Sequence, residues 1–379
     1  MKILFWIIIG LIVHVYCIYP LILLSLRKFM KIKFRKSNGL LPVTIIVSAY
    51  NEEDVIETKI GNLLDLDYPK KCLEIIIASD GSYDRTNEIV KRYASKGIRL
   101  AGYRIRRGKA ETLNRTIPKA KNEIIVLSDA NAFFKKDAIQ KLVRNFGDVR
   151  VGAVCGRLCF DNNGNNKKIG ELEGFYWKYE TFLKRIEGSR GSLLGANGAI
   201  YAIRKSLFTP VPSDTIVEDF LIPMKILEKD YKVLYEPEAI AYEETAKGIV
   251  QEMARRVRIG AGDFQSLFLT WRLLNPLHGF SSFAFWSHKV LRWVAPFLLT
   301  GVLFLNAFLV GENIYLMLFL AQSSFYLVAL LGRVLSNTRI HIRLFGFCYY
   351  FVSMNIALLL GFFKFFMGRQ SVMWDRTHR

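Results

Sequence analysis

The chain has 379 residues, 51% of them hydrophobic and 23% charged, and carries a net charge of +20. This is too apolar for an average soluble enzyme and too charged for a bare membrane bundle; it suits one soluble domain of about 230–260 residues joined to several membrane spans. The basic excess points to lipid headgroups or phosphorylated substrates and away from nucleic acid, because there is no zinc-finger spacing and no long basic arm.

The first segment, Ile3 to Leu26, carries no Lys, Arg, Asp or Glu. It is long enough to cross a bilayer core of about 30 Å as a helix. It is too long for a signal peptide, and no small-residue cleavage site follows. A basic stop, Arg27 to Lys36, follows instead, and by the positive-inside rule it faces the cytoplasm.

Short apolar β-type runs then alternate with helix-like stretches. Strands are expected at Val43–Ser48, Glu74–Ser79, Ile124–Ser128 and Val151–Cys155, and helices at Glu53–Leu64, Asp84–Ser95 and Lys136–Asn145. Strands apolar on both faces and separated by helices predict an α/β domain with a mostly parallel sheet. In such sheets ligands bind beyond the carboxyl ends of the strands. Those ends carry Ala49-Tyr50-Asn51-Glu52, Asp80-Gly81-Ser82-Tyr83-Asp84 and Asp129-Ala130-Asn131. Each alone is an ordinary helix cap. Three acidic ends along one edge repel one another unless cations join them, which a metal ion and a bound diphosphate would explain. Arg106-Arg107-Gly108-Lys109 opens a helix start, where a phosphate meets both Lys109 and backbone N–H groups.

Further along, Gly195-Ala196-Asn197-Gly198 is glycine-rich, Val217-Glu218-Asp219-Phe220 is an acidic helix start, and Arg255-Arg256-Val257-Arg258-Ile259 is a basic cluster. Phe264 to Ser287, interrupted by Arg272, Pro276 and His278, reads as helices lying in the headgroup layer. Three uncharged runs follow, Trp293–Gly311, Asn313–Gly332 and Leu344–Phe363. The link at Glu312 reads as outside, and the link with Arg333, Arg339, His341 and Arg343 as inside. Four full crossings would leave the basic tail 368–379 outside, against the charge rule. Either one run does not cross or the tail breaks the rule. The five cysteines are scattered and odd in number, and Cys155 and Cys159 have no second pair, which argues for reduced thiols and against a zinc site.

From Leu41 to Gln265 these motifs, in this order, resemble the inverting family 2 glycosyltransferases of GT-A fold, in the membrane-bound branch that includes cellulose, hyaluronan and poly-N-acetylglucosamine synthases. The resemblance implies a Rossmann-like GT-A domain with transmembrane helices in the cell membrane, multi-pass, the catalytic domain cytoplasmic. It implies a nucleotide-sugar donor, commonly a UDP-sugar, held by Ala49, Asn51, Glu52, Asp80, Lys109, Asp129, Arg255 and Arg258. Asp129-Ala130-Asn131 stands where the family has Asp-x-Asp, so Mg²⁺ or Mn²⁺ is expected on Asp129 and Asn131, with Asn contributing an oxygen but no charge. Gly195, Asn197 and Gly198 fall on the acceptor side, and Glu218-Asp219 matches Thr-Glu-Asp, with Asp219 the general base. Arg255 to Ile259 replaces Gln-x-x-Arg-Trp, keeping the Arg but losing the Trp on which an acceptor sugar would stack, which weakens the expectation of processive polymerisation. The acceptor is a glycan or a lipid-linked molecule, and a homodimer or helper subunit would supply helices that one chain lacks for a channel. A second reading is a non-catalytic nucleotide- or glycan-binding membrane sensor.

The chain divides into an N-terminal transmembrane helix (1–27), a basic linker (28–40), the GT-A domain (41–262), interfacial helices (263–289), C-terminal transmembrane helices (290–367) and the tail (368–379).

Overall fold

The structure, a computed structural model, describes residues 1–29, 32–37, 39–161, 167–244, 249–336 and 342–370. The middle of the basic stop (30 and 31), Arg339 and His341, and the tail beyond Gln370 lie outside them.

Among the described residues eight strands form one sheet: β1 Val43–Ala49, β2 Leu73–Asp80, β3 Ile98–Tyr103, β4 Ile124–Asp129, β5 Phe133–Phe134, β6 Val151–Asp161, β7 Tyr201–Arg204 and β8 Lys232–Glu244. Their order is β3-β2-β1-β4-β7-β6-β8-β5. The β1, β2, β3 and β4 ladders are parallel, as is β6 with β8, while β7 runs antiparallel to both neighbours. β1 is buried at every position, as an interior parallel strand must be. β8, which contains Pro237, is not among the expected strands. Its ladder shifts register between Gly156/Glu236 and Arg157/Ile240, so the Pro sits in a bulge where no ladder N–H is needed.

The alternation of β1 divides the interior into two cores. Val43, Ile45 and Val47 pack with Ile56, Ile60, Leu63, Ile139 and Leu142 from the covering helices. Ile46, on the other face, shares a core with Leu113, Ile125 and Leu127, and that core continues without a break to Tyr19, Leu23, Phe264, Phe285 and Trp293. The domain and the apolar helices are thus one packed body. A buried polar knot reinforces the junction. Glu187, fully buried, accepts from the Tyr19 hydroxyl at 2.7 Å and pairs with His288 Nδ1 at 2.7 Å. Glu180, two turns earlier on the same helix (Lys167–Ser189), takes Lys289 at 3.2 Å and Arg292 at 3.0 Å. Burial works against ionisation of Glu180, but Lys289, His288 and Arg292 hold its carboxyl well below the usual carboxylate range.

Among the described residues four helices are long and apolar enough to cross a membrane: Lys2–Leu26, Phe280–Ala307, Asn313–Leu335 and Arg343–Phe366. The first turns of the second, residues 280–289, belong to the stretch expected to lie on the surface; before it come the helix Ile249–Leu269 and two exposed turns, Trp271–Leu274 and Pro276–His278. The first three helices share two levels. At the end far from the domain Lys2 pairs with Glu312, and midway Gln322 donates to the Leu299 carbonyl at 3.0 Å. The fourth helix behaves differently. It starts beside Gly332, near the inner end of the third, and its last turns pack on the catalytic-side helix, Phe362 on Phe264 (5.1 Å) and Phe365 on Phe268 (5.8 Å). Both of its ends therefore lie on the domain side.

That packing is backbone-close: a Cβ on Gly361 would stand 2.7 Å from the Ala261 nitrogen and 2.8 Å from the Val257 carbonyl oxygen. Gly361→Leu should therefore separate the two helices at a cost of about 1–3 kcal/mol, seen as a lower melting temperature of the purified protein.

Candidate active site

The acidic strand ends meet at one edge of the sheet. Asp80, closing β2, is almost fully buried, and its two oxygens accept the Arg107 N–H at 2.9 Å and the Gly108 N–H at 2.8 Å. It fixes the loop that delivers Lys109 to the start of the helix Lys109–Thr116. The turn after β1 is stitched to the turn after β2. Asn51, at φ +51°, donates its N–H to Ser82 Oγ at 3.1 Å and accepts the Tyr83 N–H at 3.0 Å, while the Glu52 N–H reaches Thr86 Oγ1 at 2.8 Å. Ala49 is buried at the strand end, and the Arg106 guanidinium lies 3.7 Å from the centre of the Tyr50 ring.

The centre of the site is an ion cluster. Lys109 Nζ lies 2.7 Å from Asp129 Oδ1 and 2.6 Å from Glu218 Oε1. Burial works against its charge, but Asp129, Glu218 and Asp219 hold the ammonium well above the usual lysine range. Gly198 lets the neighbouring loop close over this cluster: a Cβ there would stand 2.6 Å from Asp129 Oδ2. The Asp129 N–H donates to the Gly198 carbonyl at 3.1 Å. Behind the loop, fully buried Lys59 donates to Ser128 Oγ at 2.9 Å and to the Ala132 carbonyl, fixing both sides of Asp129-Ala130-Asn131. Burial pushes Lys59 down to about 7, with Asp129 opposing. Sequence reading missed Lys59, although its spacing from Ile56, Ile60 and Leu63 puts it on their apolar helix face. It missed Tyr201 as well, a buried neighbour of Glu218 and Lys109 on β7.

Asp219 follows Glu218 in the first turn of the helix Glu218–Leu227. Its carbonyl accepts the Ala196 N–H at 3.0 Å, tying it to the glycine-rich loop. Burial pushes its carboxyl up to about 6; Glu218 and Asp129 add to the rise, and Lys109 and Arg258 oppose it. Gly195 packs against the Phe220 ring. The Asn197 side chain turns back into the sheet, donating to the Gly156 carbonyl at 3.0 Å and accepting the Ile200 N–H at 3.1 Å, so its amide shapes the loop. The two arginines separate. Arg258 is close enough to act on the charge of Asp219, while Arg255 is exposed and paired with Glu252 at 3.4 Å.

Among the described residues no group of three or more His, Cys, Asp or Glu side chains could hold a metal ion. Asp129 offers a hard, partly exposed carboxylate, but Asn131 Nδ2 donates to Glu243 at 3.1 Å, leaving the amide oxygen as its ligating atom. This donor set fits a hard divalent cation only when a diphosphate completes the shell.

Removing the cation from the cluster leaves buried carboxylates unpaired. Lys109→Met should destabilise the fold by about 3–5 kcal/mol, measured by denaturant unfolding, and Lys109→Arg by less.

Residues 44–208 match the family described as Glycosyl transferase family 2. The poly-beta-1,6-N-acetyl-D-glucosamine synthase of Staphylococcus epidermidis is 29% identical over 231 residues, covering 59% of this chain and 55% of that protein. The synthase of the same name from Staphylococcus aureus (strain MSSA476) is 31% identical over 222 residues, covering 56% and 53%. The chain spans about half the length of these curated relatives. Among solved structures, the mannosyltransferase PcManGT from Pyrobaculum calidifontis, in complex with GDP-Man and Mn²⁺, superimposes with a TM-score of 0.71 at 22% identity, covering 97% of this chain and 99% of that one. That likeness in fold takes in the apolar helices as well as the sheet. The chain thus carries a family 2 glycosyltransferase domain over residues 44–208, related in sequence to the poly-N-acetylglucosamine synthases.

Proposed function

We propose that the protein is an inverting glycosyltransferase that moves a sugar from a nucleotide-sugar, a UDP-sugar by family preference, to the hydroxyl of a glycan or lipid-linked acceptor. The observation that carries this is Asp219: a carboxyl tuned to about 6 beside the Lys109–Asp129–Glu218 cluster, opening on a cleft. A base of that basicity is ionised at neutral pH and still accepts a proton readily. Lys109 and Arg258 supply positive charge where the nucleoside diphosphate departs. A divalent cation, Mg²⁺ or Mn²⁺, held by Asp129 and Asn131, would neutralise charge on the leaving diphosphate when bound. No side chain is needed as a nucleophile, since one displacement inverts the anomeric centre. The sensor reading has only Asn131 in its favour, and an intact buried ion cluster around an ionisable Asp219 argues for chemistry.

We also infer three membrane crossings, with the catalytic domain cytoplasmic. The fourth long helix then lies along the inner face, because its start follows Gly332 and its last turns rest on Phe264 and Phe268. On this reading residues 368–370, where the tail begins, are on the cytoplasmic side, in accord with the basic charge of that end of the sequence.

Asp219→Asn should lower transfer by about 100-fold or more while donor nucleotide still binds, read as nucleotide release and product formation by the protein in nanodiscs. Wild-type activity in that variant would refute the base. Because the deprotonated form is the active one, kcat/KM should be level above pH 7 and fall about tenfold per unit below pH 6. For the topology, cysteines placed at Ser95, Gly311 and Met367 of a cysteine-free protein should be labelled by an impermeant maleimide in two groups. Ser95→Cys and Met367→Cys should react from the cytoplasmic side and Gly311→Cys from the other; Met367→Cys reacting with Gly311→Cys would restore a fourth crossing.

A further inference from the structure

The sequence departs from Asp-x-Asp at Asn131, and the structure gives that departure a cause. Asn131 faces a carboxylate: its Nδ2 lies 3.1 Å from Oε1 of the buried Glu243. A carboxylate only accepts hydrogen bonds, whereas an amide both donates and accepts. An aspartate at 131 would set acceptor against acceptor and negative charge against negative charge. Asparagine is the residue of the same size that gives Glu243 a hydrogen.

Glu243 comes from more than a hundred residues away, carried in by β8. Phe133 and Phe134 of β5, just beyond the Asp129 turn, pair with Tyr242 and Ala241, and Phe160 of β6 pairs with Glu243 itself. The backbone of the turn has other supports. Lys59 donates to Ser128 Oγ and to the Ala132 carbonyl, the Asp129 N–H to the Gly198 carbonyl at 3.1 Å, and the Lys135 N–H to the Ile240 carbonyl at 3.0 Å. What the bond to Glu243 adds is the setting of one side chain. An amide turns either arm towards a neighbour, and only its oxygen ligates a hard cation. With Nδ2 taken by Glu243, the oxygen occupies the other arm.

We propose that Glu243 is a positioning residue for the divalent cation, holding the Asn131 amide so that its oxygen, and not its NH₂, is offered as a ligand. This rests on the transferase reading above and concerns its cation site. Glu243 acts through Asn131, as hydrogen-bonded partners behind metal ligands fix the orientation of those ligands. The negative charge that the motif lacks at 131 stands one hydrogen bond further out.

The test reads cation binding and not turnover. Labelled UDP, with GDP in parallel, is bound to the full chain in nanodiscs at rising Mn²⁺, and the half-saturating Mn²⁺ concentration is measured. Glu243→Leu, which keeps bulk but accepts no hydrogen bond, should raise that concentration about tenfold or more. In an Asn131→Ala background the same change should shift it less than about twofold, because the group through which Glu243 acts is gone. Glu243→Gln, a milder change that keeps an acceptor, should raise it by a smaller factor, and Asn131→Asp added to Glu243→Gln should bring it back to the unaltered value or below: the glutamine then donates and the new carboxylate ligates. Melting without metal separates packing from positioning. A merely structural role would lower the melting temperature of Glu243→Leu and leave its half-saturating Mn²⁺ unmoved. That result, an equal loss with and without Asn131, or no recovery in the reversed pair would each overturn the proposal. If the unaltered protein shows no Mn²⁺-dependent binding of either nucleotide, the cation falls from the transferase reading and Glu243 with it. If it shows such binding and Glu243→Leu matches it, only the role of Glu243 falls.

Discussion

The site is organised around one buried ammonium. Carboxylates from β4 and from the helix Glu218–Leu227 come together only because Lys109 Nζ lies within 2.7 Å of both Asp129 and Glu218. Without it their mutual repulsion in a poorly hydrated setting would be severe. The surrounding architecture serves to place that atom. Asp80 holds the loop before it through two backbone N–H groups, Gly198 lets the covering loop approach, and Lys59 secures the Asp129 turn from behind. Asp219 is then tuned by what surrounds it. Enough positive charge is nearby to keep it ionised at neutral pH, and enough burial to keep it basic.

The second organising feature is the absence of a seam between the enzymatic and membrane parts. Glu187 joins the first helix, through Tyr19, to the second, through His288, while Glu180 adds Lys289 and Arg292. Burying two carboxylates is costly unless each is paired and hydrogen-bonded. Satisfying them requires three helices from distant parts of the chain in one arrangement, so the knot specifies geometry more than it adds stability.

How much of this was legible in the sequence follows from how local each signal is. β1, β2 and β4 are readable because both their faces are buried, giving continuous apolar runs, and the residues after them were readable as a site because parallel sheets present ligands at that edge. Asp80 and Asp129 stood out for that reason, Lys109 as part of a basic helix start, and Glu218 and Asp219 as an acidic helix start resembling a family motif; the structure brings the last four into one cluster. β3, with Arg99 inside it, and β8, with Pro237, carry no such pattern and form strands only through their partners. Glu180 and Glu187 are ordinary helix glutamates in sequence, and their partners lie about a hundred residues away. The side-chain roles of Asn51 and Asn197, which hold turns, depend on backbone groups that no motif specifies.

The two faces of β1 have different fates if the chain is divided. Val43, Ile45 and Val47 are covered by helices of the sheet domain itself and would stay covered in a fragment. Ile46 and the core around Leu113, Ile125 and Leu127 are completed by Tyr19, Leu23, Phe264, Phe285 and Trp293, residues that a fragment of 41–262 lacks. Cutting the protein at its apparent domain boundary would open a greasy floor beneath the catalytic sheet. The membrane helices are in this sense the missing layer of the enzyme's own sandwich, and anchorage and folding are one requirement.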